Sequence, residues 1–88
     1  ATAICEQAGM HTLMTWALAR RAYVLAARGE LAEAVVGQLR AAYDYGASHD
    51  AHPAGRGAVK SLIREIKQLR PGAYDGALAA LRDELLGA

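Results

Sequence analysis

The stretch Leu13-Met-Thr-Trp-Ala-Leu-Ala-Arg-Arg-Ala-Tyr-Val-Leu-Ala-Ala27 constrains this chain more than any other. It holds no glycine or proline, and its apolar side chains fall on more than one side of a helix. Met10, Met14, Leu18 and Leu25 share one broad face, Leu13, Ala17 and Val24 lie beside them, and Trp16, Tyr23 and Ala27 lie behind. A surface helix has one apolar stripe and one wet face. Here polarity is confined to Thr12, Thr15 and the Arg20-Arg21 pair. The expectation is a central helix, covered by at least two others or by a second copy of the chain.

The rest of the chain supplies the others. The first helix reads as residues 3–28, with Gly9 as a break between a short lead-in and the main rod, and Gly29 is placed to cap its end. The second helix reads as residues 30–45, with Glu30, Glu33, Gly37, Arg40 and Asp44 on one side and Leu31, Ala34, Val35, Leu39 and Ala42 on the other. A connection as short as Gly29 folds the two back on each other. Residues 46–57, rich in glycine and holding Pro53, read as a loop. The third helix, residues 58–70, is expected to bury Val59, Leu62, Ile63, Ile66 and Leu69, and Pro71-Gly72 ends it. The fourth, residues 73–86, buries Tyr74, Ala77, Leu78, Leu81 and Leu85. The fold class is all-α: one domain over residues 1–88, a small four-helix bundle built of two antiparallel helical hairpins. A domain of this length buries only about 60–65% of its unfolded surface, so covering more of it by association is favourable.

Gly29-Glu-Leu-Ala-Glu-Ala34, followed by Leu39 and Ala41, resembles the turn and second helix of a tetratricopeptide repeat, where small alanines let two helices pack closely. The likeness covers one hairpin. Arg21 and Ala22 stand where that family has Leu and Gly, its closing proline is missing, and nothing recurs at the repeat's period.

Few residues carry chemistry. His49-Asp50-Ala51-His52 offers two imidazoles and a carboxylate, but from a loop that does not aim both at one ion, and His11 and Cys5 belong elsewhere in the fold. Cys5 has no histidine near it in sequence to activate it. Glu30 and Glu33 suit the first turn of a helix, where negative charge is stabilised. Gly55-Arg56-Gly57 ahead of Lys60-Ser61 lacks the spacing of a phosphate loop and follows no strand. No catalytic residue, metal centre or cofactor is assigned. The single cysteine gives no internal disulfide, and Arg20-Arg21 interrupt the longest apolar run, so neither an oxidising compartment nor a membrane is expected. A cytoplasmic protein is the expectation.

Charge is distributed by segment: residues 1–29 carry +2, 30–46 carry −2, 47–72 carry +3 and 73–88 carry −2. Arg56, Lys60, Arg64 and Lys67 recur at helical spacing and Arg70 extends them, so a helix that starts early enough bears a basic stripe. Such a stripe fits a phosphate backbone, with a salt-dependent affinity. A helix-turn-helix reading of residues 29–46 fails, because its second helix presents only Arg40 and Asp44 with few other readers of base edges. Two functional expectations follow. The first is a non-enzymatic protein-protein interaction or adaptor module that binds itself or another protein, with Met10, Met14 and Trp16 at the interface, since methionine adapts to a partner and tryptophan anchors it. The alternative is a small nucleic-acid-binding regulatory protein that uses Arg56, Lys60, Arg64, Lys67 and Arg70.

Overall fold

The computed structural model of the chain describes the backbone of residues 2–87 and the side chains of residues 9–87. Four helices follow one another: α1 (Thr2–Ala27), α2 (Ala32–Ser48), α3 (His52–Leu69) and α4 (Asp75–Leu86). They form an all-α four-helix bundle, with no strand among the described residues.

α1 ends in a glycine cap. Gly29 takes φ +76°, its N–H donates to the Ala26 carbonyl at 3.0 Å, and the Glu30 N–H donates to Leu25 at 3.0 Å. This pair of bonds satisfies carbonyls the helix itself leaves open, and the left-handed residue between them suits glycine. Leu31, in extended conformation, then starts α2. Gly9 does not break α1, which runs through it without interruption.

Residues 52–57, expected in a loop, are the start of α3. The connection after α2 is only His49, Asp50 and Ala51, with Asp50 at φ 56° turning the chain. Pro53 sits in the first turn of α3, where a missing N–H costs nothing. The glycines that suggested a loop serve a helix crossing: a Cβ on Gly46 would lie 2.9 Å from the Ala51 carbonyl oxygen and 3.2 Å from Gly55 Cα. Both glycines are buried.

α1 is not central. α1, α2 and α3 pack against one another in turn, whereas α4 packs on α2 and α3 and, among the described residues, not on α1. The central pair is α2 and α3. Gln38 Nε2 of α2 donates to the Leu18 carbonyl of α1 at 3.0 Å, and Arg56 Nη2 of α3 donates to the Leu86 carbonyl of α4 at 3.1 Å. α4 packs on both α2 and α3.

The core is made from Val35, Leu39 and Ala42 of α2, Val59, Leu62 and Ile66 of α3, and Leu78 and Leu81 of α4. Each fully buried Leu, Ile or Val side chain contributes about 1.5–3 kcal/mol by leaving water. α1 contributes Thr15, Ala19, Ala22 and Ala26, all fully buried. Small side chains on this face let α1 lie close to its neighbours. The far end of the bundle is tied together by Tyr74, which is buried just ahead of α4 and donates its hydroxyl to the Glu30 carbonyl at 2.6 Å. No described helix is long and apolar enough to cross a membrane.

Candidate functional site

Because alanines take the buried face of α1, its larger apolar side chains point outward. Met10 is 66% exposed, Leu13 71%, Met14 47% and Val24 52%. Together with exposed Ala17 they fit within about 100° of arc. Met10, Ala17 and Val24 recur every seven residues, the spacing of a seam between two helices, and Arg20 and Arg21 share this face. Trp16 is not part of it. Its ring is half-buried, packs against the core, and lies 4.0 Å from where a Cβ on Gly57 would stand. Of the three interface candidates, Met10 and Met14 are on the open face and Trp16 is turned toward α3. Leu13 and Val24 complete that face, and the seven-residue spacing through Ala17 was the signal that marked it.

The basic residues divide differently. Helix α3 begins early enough to carry Arg56, Lys60, Arg64 and Lys67 on one side. Arg70 is not with them. It lies beyond the end of α3, where its Nε donates to the Ala26 carbonyl at 2.7 Å and its Nη2 to the Ala27 carbonyl at 3.0 Å. There the guanidinium adds a second bond to the Ala26 carbonyl, which already accepts the Gly29 N–H, takes that of Ala27, and answers the partial negative charge at the end of α1. In its place stands Arg82, from α4. Arg82 and Lys60 line both of two adjoining clefts between α3 and α4, one of about 290 Å³ closed by Arg56, Gly57, Leu86 and Gly87, the other of about 220 Å³ closed by Ile63, Arg64 and Lys67. Among the described residues no acidic side chain lines either cleft, and none of these cations forms an ion pair. Arg82 was hidden from the sequence because it lies alone among the acids of the last segment, and only the packing of α4 on α3 brings it to the row.

Elsewhere the charges are paired or dispersed. Arg40 of α2 holds Glu84 of α4 through Nε at 3.0 Å and Nη2 at 2.6 Å, beside a cleft of about 280 Å³ lined by Ala32, Val36, Ala77, Ala80 and Leu81. Arg20 reaches Glu65 only at 3.8 Å.

The histidines are each engaged with a tyrosine. His49 stacks on Tyr45 with centroids 4.0 Å apart, its Nδ1 lies 2.8 Å from the Tyr45 carbonyl oxygen, and its ring is 4.7 Å from that of His11. A carbonyl only accepts, so that Nδ1 carries the proton. His11 Nδ1 lies 3.0 Å from the Tyr45 hydroxyl, and His52 Nε2 lies 2.9 Å from the Tyr43 hydroxyl. These contacts fix the two ends of the α2–α3 connection to different tyrosines. Among the described residues no three histidine, cysteine or acidic side chains are grouped to hold a metal; the Cys5 side chain lies outside them.

Neither a protein-family model, nor a curated protein, nor a solved structure matches this chain.

Proposed function

We propose that the protein is a helical interaction module that self-associates through the outer face of α1. The observation that supports this is the reversal of size on that helix: Ala19, Ala22 and Ala26 face the core while Met10, Leu13, Met14 and Val24 face water. Contiguous exposed apolar side chains on one element are the mark of a contact surface. The seven-residue spacing suits a second long helix laid along the first.

A second copy of α1 is a complementary occupant. About a two-fold axis at Ala17, antiparallel pairing sets Met10 against Val24, and Leu13 and Met14 against the stems of Arg21 and Arg20 of the other copy. Those stems cover apolar surface while their guanidinium groups stay in water. Parallel pairing would instead set Arg20 and Arg21 against themselves. The small Ala17 at the centre allows the closest approach.

The test is the mass of the native particle by light scattering, followed against concentration. The wild-type chain should form a dimer, and Leu13→Glu with Met14→Glu should be monomeric with its helicity unchanged. A wild-type chain that remains monomeric at millimolar concentration would refute the reading.

A further inference from the structure

We propose that the cleft between α3 and α4 binds the phosphate backbone of duplex nucleic acid, independently of the α1 face. Lys60, Arg64 and Lys67 from α3 and Arg82 from α4 line it without a counter-ion among the described residues, and Arg56 closes one end. Uncompensated like charges repel one another, and two helices that bring five together create a field that favours an anion. The row on α3 steps by four, four and three residues, so its cations stand about 6, 6 and 4.5 Å apart along the axis and span roughly 16 Å. That is a track for a chain of phosphates rather than a pocket for one. Arg56 is already oriented by its bond to the Leu86 carbonyl, which spends one donor and leaves the rest of the guanidinium for a ligand.

The lining selects among polyanions. Between the cations lie Gly57, Ile63, Leu86 and Gly87, which offer neither an aromatic face for an unstacked base nor an anchor pocket for a peptide side chain. No large apolar side chain projects from the cleft into a lipid surface: Ile63 is buried and Leu86 is half-buried. What remains is contact with backbone phosphates, and such contacts position without reading sequence. Four to five neutralised phosphates give a salt slope of about −4, so affinity should fall roughly a hundredfold or more between about 50 and about 200 mM salt.

The experiment is fluorescence anisotropy of a labelled duplex of mixed sequence, titrated with the intact chain at those two salt concentrations. Binding with the steep slope is expected, together with its loss in Lys60→Glu with Arg82→Glu, a clear weakening in Lys60→Glu alone, and its retention in Arg28→Glu, which changes net charge as much as Lys60→Glu but just beyond the end of α1. Arg82→Gln alone should lower the slope by about one, because α4 supplies one contact. Circular dichroism checks the fold of each variant. If the charge reversal unfolds the chain, the neutral pair Lys60→Gln with Arg82→Gln takes its place and should lower the slope by about two. Absence of duplex binding at the lower salt overturns the proposal, as does equal weakening by Arg28→Glu and Lys60→Glu. Tighter binding to polyglutamate or to anionic lipid vesicles than to the duplex overturns it as well.

Discussion

Gly46 of α2 and Gly55 of α3 cross so closely that a methyl group on either meets backbone. A Cβ at Gly46 would lie 3.2 Å from Gly55 Cα, and a Cβ at Gly55 would lie 3.3 Å from the Tyr43 carbonyl oxygen. The short connection through Asp50 is possible because the two helices touch there without side chains between them.

Gly46→Ala should therefore destabilise the protein by about 1–3 kcal/mol, since forced separation of packed backbones outweighs the better helix propensity of alanine. Gly37→Ala on the same helix, with nothing within 4 Å of its Cβ, should stabilise by up to about 1 kcal/mol. Urea midpoints at one fixed protein concentration check both. Equal effects at the two positions would contradict the close crossing.

Trp16 and Leu13 should behave in opposite ways. Trp16→Ala removes a ring packed against the core and should cost about 2–4 kcal/mol while leaving the mass of the folded particle unchanged. Leu13→Glu, at a side chain 71% exposed, should change the mass and leave the helical content of the chain intact. Light scattering and circular dichroism on the same samples separate the two.

In a Cys5→Ser background, Ala17→Cys should oxidise to a disulfide-linked dimer. Val24→Cys should stay reduced under the same conditions, and Met10→Cys with Val24→Cys should cross-link. A disulfide needs Cα atoms within about 7 Å, which an antiparallel pair centred at Ala17 provides there but not between two copies of Val24. Efficient cross-linking at Val24 alone, seen on a non-reducing gel, would show parallel helices instead.

Arg70 should matter for stability and not for nucleic-acid affinity. Arg70→Met removes both bonds to the end of α1 and should cost about 1 kcal/mol, with duplex affinity reduced far less than by Arg82→Gln. Arg70→Lys should restore only part of the stability, because a point charge does not span two carbonyls as the guanidinium fork does. Thermal melting and anisotropy titrations check the two halves.

Much of the fold was legible in local pattern. The repeat of Val35, Leu39 and Ala42, and that of Val59, Leu62, Ile63 and Ile66, marks buried faces because a helix returns to the same side every three or four residues. Gly29 marks the end of α1 because glycine takes a left-handed conformation without a Cβ penalty. The start of α3 was not legible, since glycine and proline signal a turn in isolation and a helix crossing or first turn in context. The candidate sites were legible in part: Met10 and Met14 on the α1 face, and the four cations of α3. Trp16 and Arg70 were misplaced, because whether an amphiphilic side chain points to a neighbour or to solvent depends on what lies across from it.

The sequence by itself determined the helices and the faces that repeat along them, because helix formation rests on interactions no longer than a turn. The tertiary structure decided which of several apolar faces of α1 is buried. There the close approach of backbones rewarded Ala19, Ala22 and Ala26 over larger residues and left Met10, Leu13, Met14 and Val24 in solvent. It also exchanged Arg70 for Arg82 in the basic row. That exchange depends on the end of α1 and the side of α4 lying next to α3, which is a matter of packing across the bundle and not of spacing along the chain.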